Sequence, residues 1–279
     1  LSLEDMNRIL AVDEKNLVAE VEPGVITQNI KDAARAKGLY YPPDPAGLDQ
    51  STIGGNAATN AGGPACVKYG TTRDYILALE VFLADGEAIR TGVQTRKGVV
   101  GYDLTHLIVG SEGTLGIITA LTLKLIPHPA TIAGMAVVFP DMGAATRALS
   151  EIMSRGHLPC AIEFMDHQCL ELVRDQLPFA TSGEDAMLLL ESDGMPSQVA
   201  ADMEAMGRIC REMGARHLLP AADDRERTRL WEVRRMVSLR IHDTAGLYIP
   251  EDVVVPLSRI ADLVAALPEL EKQFGLKIY

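Results

Sequence analysis

An α+β fold in two domains follows from three features of this chain. Residues 1–127 mix short β-rich runs with a glycine-rich stretch, and the cluster Pro127, His128, Pro129 then breaks the pattern. Residues 128–279 change to longer strands and helices in the order β-α-β, β-α-β. That order suggests a ferredoxin-like sandwich, an antiparallel sheet with helices on one face. At 279 residues, 47% of them hydrophobic, the chain can bury a core in each half.

The elements follow from local signals. Residues 2–10 read as an amphipathic helix, and residues 18–24 as a short strand with a turn. Thr27 is the expected cap of a helix over 27–36, closed by Gly38. Two apolar runs, 75–83 and 88–91, flank Asp85 and Gly86 and predict a hairpin. Residues 99–105 and the alternating run 117–126 complete the first domain. In the second, strands are expected over 132–139, 160–165, 186–191 and 216–219, with helices over 144–155, 168–177 and 197–213, the last ending at Gly214. A long helix over 224–243, a strand over 253–255 and a helix from Leu257 follow, and residues 274–279 read as a strand entering the core.

The formal net charge of −12 argues against nucleic acid and against an anionic membrane surface. No apolar run approaches the roughly 20 residues needed to span a bilayer, and no basic–apolar–small leader opens the chain. The four cysteines, at 66, 160, 169 and 210, lack metal or redox spacing, so reduced thiols in a cytoplasmic protein are expected. The six histidines show no metal-site spacing. No nucleophile elbow, P-loop or G-x-G-x-x-G appears, which removes hydrolase, NTPase and nicotinamide readings.

The chemistry is carried by two stretches. Residues 51–63, Ser-Thr-Ile-Gly-Gly-Asn-Ala-Ala-Thr-Asn-Ala-Gly-Gly, follow Pro42-Pro43-Asp44-Pro45 and precede Lys68-Tyr69-Gly70. Their small side chains suit a loop whose bare N–H groups approach a phosphate-bearing ligand, or a glycine-rich surface loop without one. The second stretch runs from Gly101-Tyr102-Asp103-Leu104 into Gly110-Ser111-Glu112-Gly113-Thr114-Leu115-Gly116-Ile117-Ile118-Thr119.

In that order and spacing, PPDP, STIGGN, NAGG, KYG, GYDLT and GSEGTLGIIT resemble the FAD-linked oxidases of the vanillyl-alcohol oxidase and p-cresol methylhydroxylase (PCMH) fold. The branch is that of glycolate oxidase flavoprotein subunits and D-lactate dehydrogenases, and the likeness covers nearly the whole chain. It implies a PCMH-type FAD-binding domain over 1–127, without the family's N-terminal pyrophosphate loop. A ferredoxin-like substrate-capping domain over 128–279 would follow, without the family's C-terminal His motif, which holds the catalytic base. The chain is accordingly expected to be an internal fragment of a longer flavoprotein.

The resemblance implies FAD, held non-covalently although Cys66 adjoins the loop. Pro43, Asp44 and Pro45, with Ser51, Thr52, Ile53, Gly54, Gly55 and Asn56, would lie against the isoalloxazine and ribityl side. Gly62 and Gly63 would lie near the pyrophosphate. Gly113, Gly116, Ile117 and Ile118 would line the adenosine end, with backbone bonds from Ile117 or Ile118 to adenine. Glu112 would take the ribose hydroxyls or cap a helix end. Lys68 and Tyr69 would place charge near the cofactor or form a solvated turn.

In the second domain Leu230-Trp231-Glu232-Val233-Arg234-Arg235 resembles the family's Trp-x-x-Arg-Lys/Arg pattern at a substrate-facing helix. A guanidinium grips a carboxylate with two prongs, so Arg234 is the expected contact to a small 2-hydroxy acid, assisted by Ser238 one turn on. The other arginines of the helix are expected to be solvated. Electrons would leave to an unidentified acceptor, in a homodimer or as a subunit of an oxidase complex. Two rivals stand beside this expectation: a scaffold subunit of the same fold that binds no FAD, and a sugar oxidase of another branch.

Overall fold

The computed structural model describes residues 2–95, 97–244 and 247–279 of the chain, residue 244 by its backbone alone. Two compact units divide at Pro129 and Ala130.

The first unit is built on an antiparallel five-stranded sheet. β1 (Ile9–Asp13) and β2 (Val18–Val21) form a hairpin, and α1 (Thr27–Arg35), β3 (Leu39–Tyr40), α2 (Ile53–Thr59) and α3 (Cys66–Tyr69) follow. β4 (Ile76–Phe82) and β5 (Ala88–Gly92) are joined by the expected Asp85, Gly86 turn, with Gly86 at φ +87°. α4 (Leu104–Ile108), β6 (Ile117–Lys124) and β7 (Ile126–Pro127) close the unit. The strand order is β1-β2-β6-β4-β5, so β6 joins the two hairpins. Val21, Leu79, Val81, Leu121 and Leu123 of the sheet bury themselves against Ile30, Ala34, Ile53 and Ala57 of α1 and α2.

Three local expectations change here. Residues 2–10 are a turn leading into β1 rather than a helix. The Gly24 N–H donates to Met6 O at 2.8 Å, and the Arg8 N–H and guanidinium both donate to Glu22, so the segment is tied down by the next strand. Thr27 is the first residue of α1 and not its cap; Ile26 holds that place. Residues 99–103 carry no regular element, and Asp103 caps α4 by accepting the His106 N–H at 3.1 Å.

The second unit holds β8 (Thr131–Phe139), α5 (Met142–Ser154), β9 (Ala161–Met165), α6 (His167–Leu172), β10 (Ala186–Gly194), α7 (Pro196–Glu212), β11 (His217–Pro220), α8 (Asp224–Thr244) and α9 (Ile260–Phe274). Its antiparallel order, β11-β8-β10-β9, is the ferredoxin-like one. The sheet is covered on both faces, not one. Val137, Phe139, Leu188 and Leu190 meet α5 and α7, whereas Ala136, Met187 and Leu189 meet α6 and α8. β10 shows why: its run Ala-Met-Leu-Leu-Leu has no polar alternation and is buried throughout. Residues 253–255 and 276–279 form no strand; Phe274 ends α9, and the Ile278 N–H caps back onto Glu271 at 2.8 Å.

Candidate cofactor and substrate sites

The glycine-rich stretch is a short helix rather than an open loop. Thr52 caps α2 by accepting the Gly55 N–H at 3.2 Å, and Ile53 and Ala57 anchor it in the core. Asn56 is buried; its amide donates to Thr27 Oγ1 at 2.7 Å, and that hydroxyl donates to Ser51 O at 3.0 Å. Asn60 ends the helix in the left-handed region at φ +50°, a conformation an asparagine tolerates. Its Oδ1 accepts the Arg73 N–H and the Thr71 hydroxyl, both at 2.9 Å. The Gly110 and Glu112 N–H groups donate to Ala57 O and Ala58 O, each at 2.9 Å, while Arg73 Nη2 donates to Val109 O at 3.0 Å. STIGGN, NAGG and GSEG therefore meet around one helix end, together with Thr71 and Arg73 just past KYG.

Adjacent glycines have different reasons. A Cβ on Gly54 would sit 2.5 Å from Pro23 Cβ, so α2 packs on that turn only without a side chain. A Cβ on Gly63 would lie 2.6 Å from Asp44 Oδ1 and closer still to the Asp44 carbonyl. Asp44 Oδ1 also accepts the Ala65 N–H at 3.1 Å, fastening PPDP to NAGG. Pro43 and Pro45 are buried beside it. Gly55 and Gly62, by contrast, are exposed.

Lys31 of α1 donates to Pro42 O at 3.2 Å and lies 5.3 Å from the Tyr40 ring centre. Burial lowers its ammonium to about 8, with Asp44 acting in the opposite sense. Cys66 accepts the Gly63 N–H at 3.0 Å, and burial raises its thiol, which leaves little thiolate for a covalent flavin bond. Lys68 and Tyr69 belong to α3, with Lys68 Nζ 5.3 Å from the Tyr69 ring centre.

Glu112 is exposed at φ +51° in the turn that contains Gly113, and its carboxylate makes no hydrogen bond among the described residues. Gly116 packs beside Val81 and leads into β6, where Ile117 is exposed and Ile118 buried. Pairing of β6 with β2 starts at Leu121, so over residues 117–120 only the β4 edge is paired among the described residues. The donor set fits a flavin dinucleotide: bare backbone at Gly55 and Gly62, the Ser51 and Thr52 hydroxyls, an unpaired carboxylate at Glu112 and a strand edge at Ile117. Among the described residues no His, Cys, Asp or Glu group has metal-site geometry.

In the second unit a polar seam runs beside the apolar stripe Val233, Val237 and Ile241 of α8. Arg227, Trp231, Arg234 and Ser238, three or four residues apart, share that side of the helix. Glu191, at the end of the buried run of β10, accepts Trp231 Nε1 at 2.6 Å and Arg227 Nη1 at 3.0 Å. Glu163 of β9 accepts Arg234 Nε at 2.7 Å, and Arg234 Nη1 lies 3.5 Å from Ser238 Oγ. Arg240 pairs with Asp175 and donates to Leu172 O. The expectation that the other helix arginines are solvated therefore holds for Arg225, Arg229 and Arg235, which are exposed, and fails for Arg227 and Arg240. Sequence reasoning missed Glu163, Glu191, Lys31 and Arg73, and gave Thr27 only the role of a helix cap. A carboxylate inside an apolar strand needs a buried partner, and that signal was available for Glu163 and Glu191.

A sheet-and-helix unit with a bare-backbone node, followed in the chain by a ferredoxin-like unit, is the order of domains that a flavin-dependent family shares with this chain. The chain belongs to the FAD-linked oxidases: the family described as "FAD linked oxidases, C-terminal domain" matches residues 128–279, and "FAD binding domain" matches residues 1–92. FAD is the family's cofactor. The glycolate oxidase subunit GlcD of Bacillus subtilis is 41% identical over 100% of this chain and 59% of its own length. D-Lactate dehydrogenases of Anaerostipes hadrus and Archaeoglobus fulgidus are 35% and 36% identical, again over 100% of this chain and over 60% and 61% of theirs. The chain thus spans about 60% of the length of these relatives. Among solved structures, p-cresol methylhydroxylase with substrate bound superposes with TM-score 0.66 at 20% identity, covering 82% of this chain and 51% of that one. An alkyldihydroxyacetonephosphate synthase gives TM-score 0.72 at 24% identity, over 86% and 46%. Both show the fold.

Proposed function

We propose that the protein to which this chain contributes oxidises a small 2-hydroxy acid of the glycolate or D-lactate type with FAD as the oxidant. The observation that carries this reading is the similarity, over the whole chain, to a glycolate oxidase subunit and to D-lactate dehydrogenases. When bound, FAD supplies the acceptor for the hydride leaving the substrate's α-carbon.

The residues of the chain do the holding and orienting. Residues 1–127 form the FAD-binding part and residues 128–279 the substrate part. Pro43, Asp44, Pro45 and residues 51–56 flank the flavin and ribityl chain, with Ile53 and Asn56 serving through the backbone because their side chains are buried. Gly62 and Gly63 lie by the pyrophosphate. Glu112, Gly113, Gly116, Ile117 and Ile118 line the adenosine end, the Glu112 carboxylate accepting from the ribose hydroxyls. Arg234 binds the substrate carboxylate through its outer nitrogens, and Ser238 assists. The enzyme is placed in the cytoplasm. Among the described residues no helix is long and apolar enough to cross a membrane. The enzyme passes electrons to a separate acceptor as a homodimer or as a subunit of a complex.

Gly55→Val tests the cofactor site. Gly55 is exposed, and an added Cβ meets only Thr52 Oγ1, at 3.2 Å, so the fold is expected to persist. Flavin absorbance of the purified variant should fall at least tenfold. Unchanged flavin content would refute the placement.

A further inference from the structure

Resting on the reading of Arg234 as the carboxylate ligand, the geometry points to Glu163 as its positioning residue. Glu163 lies on β9 opposite Leu189 of β10, so its side chain rises from the sheet face that α8 covers. There its Oε2 accepts Arg234 Nε at 2.7 Å. A guanidinium is a flat fork of five donors. Once Nε is held, the plane of the fork is fixed and the edge formed by Nη1 and Nη2 remains for a two-pronged grip. Ser238 Oγ, 3.5 Å from Nη1, marks one side of that edge.

The neighbouring pair supplies an internal contrast. Arg227 and Glu191 are 22% and 11% exposed and share Trp231, so that pair is closed over by its own helix. Arg234 and Glu163 are 34% and 20% exposed, so the guanidinium is braced from below yet open above. An unbraced arginine has many rotamers, and a ligand that must freeze them binds more weakly than one meeting a fork already set. What position 163 contributes is the acceptor for Nε, not negative charge, which would repel an incoming carboxylate.

The test compares Glu163→Ala, Glu163→Gln and Arg234→Lys in the flavin-loaded protein. KM and kcat for D-lactate or glycolate would be measured, together with calorimetric binding of oxalate, which has the carboxylate but no oxidisable hydrogen. Glu163→Ala should raise KM and the oxalate Kd on the order of tenfold, with kcat changed much less. Glu163→Gln keeps an acceptor and should restore both to near the parent values. If Arg234→Lys weakens oxalate binding while Glu163→Ala leaves it unchanged, positioning by Glu163 is overturned and Arg234 keeps its role. Should Arg234→Lys leave oxalate binding and KM unchanged, the carboxylate reading itself fails. A Glu163→Ala protein that merely melts earlier, with no split between KM and kcat, would also overturn the proposal.

Discussion

The node around α2 and the seam beneath α8 are built from opposite materials. Around α2 the structure is made of backbone: Ala57 and Ala58 carbonyls receive Gly110 and Glu112, and glycines let Pro23 and Asp44 come close. Beneath α8 it is made of long charged side chains reaching carboxylates on β9 and β10. Backbone geometry tolerates almost no substitution, so it writes itself into short motifs. A charged pair requires only that its two ends meet, and the ends stand 36 and 71 residues apart for Arg227 and Arg234.

If that contrast is right, the harshest change is one added methyl in the backbone node. Gly63→Ala drives a Cβ into the Asp44 main chain and should cost about 3 kcal/mol, read by urea unfolding of the first unit. A loss below about 1 kcal/mol would mean that PPDP and NAGG are free to part. Next is Glu191→Ala, which leaves the Trp231 N–H without its acceptor and the half-buried Arg227 guanidinium with Asp224 alone, at 3.3 Å. A cost of about 2–3 kcal/mol is expected, below that of a fully buried pair because Arg227 keeps some solvent contact. Arg225→Ala, on the same helix but exposed, should stay within about 0.5 kcal/mol.

Lys31→Met gives an intermediate effect with a pH signature. Burial depresses the folded-state ammonium to about 8, from 10.5 in the open chain. Below pH 8 the lysine is charged in both states, and its burial penalty is present in full. Between pH 8 and 10.5 the unfolded chain binds the extra proton, so the stability of the parent rises with pH. The methionine variant should therefore be more stable by about 1 kcal/mol at pH 7, after allowance for the lost bond to Pro42 O. Because the parent regains about 3 kcal/mol between pH 8 and 10.5, the gain should cross zero just below about pH 9 and reverse above it. A gain constant across that range would remove Lys31 as its source.

Much of the fold was legible because its signals are local. The Asp85, Gly86 hairpin, the ferredoxin-like order and the long helix all follow from runs of neighbouring residues. Where the reading failed, a distant partner decided. Residues 2–10 have helical spacing, yet Glu22 and Gly24 hold them as a turn that runs into β1. Thr27 looks like a cap, but its hydroxyl is taken by Ser51 and Asn56. The helix within STIGGN was hidden by two glycines, whose low helical propensity is overridden by the anchors Ile53 and Ala57. The second helical layer, α6 and α8, was implicit in the unalternating run of β10.

The place of β6 has a consequence in time. Val18 pairs with Lys124, and Phe82 with Ile117, so the β1–β2 and β4–β5 hairpins are neighbours only through a strand that arrives last. Pairing of strands more than a hundred residues apart forms later than a local hairpin, because its chain-closure cost must be met before the contacts repay it. During synthesis both hairpins wait with open edges until Lys124 has emerged, and the GSEG turn just ahead of β6 docks on α2 in the same event. Docking of Gly110 and Glu112 on α2 and completion of the sheet are therefore expected to be coupled.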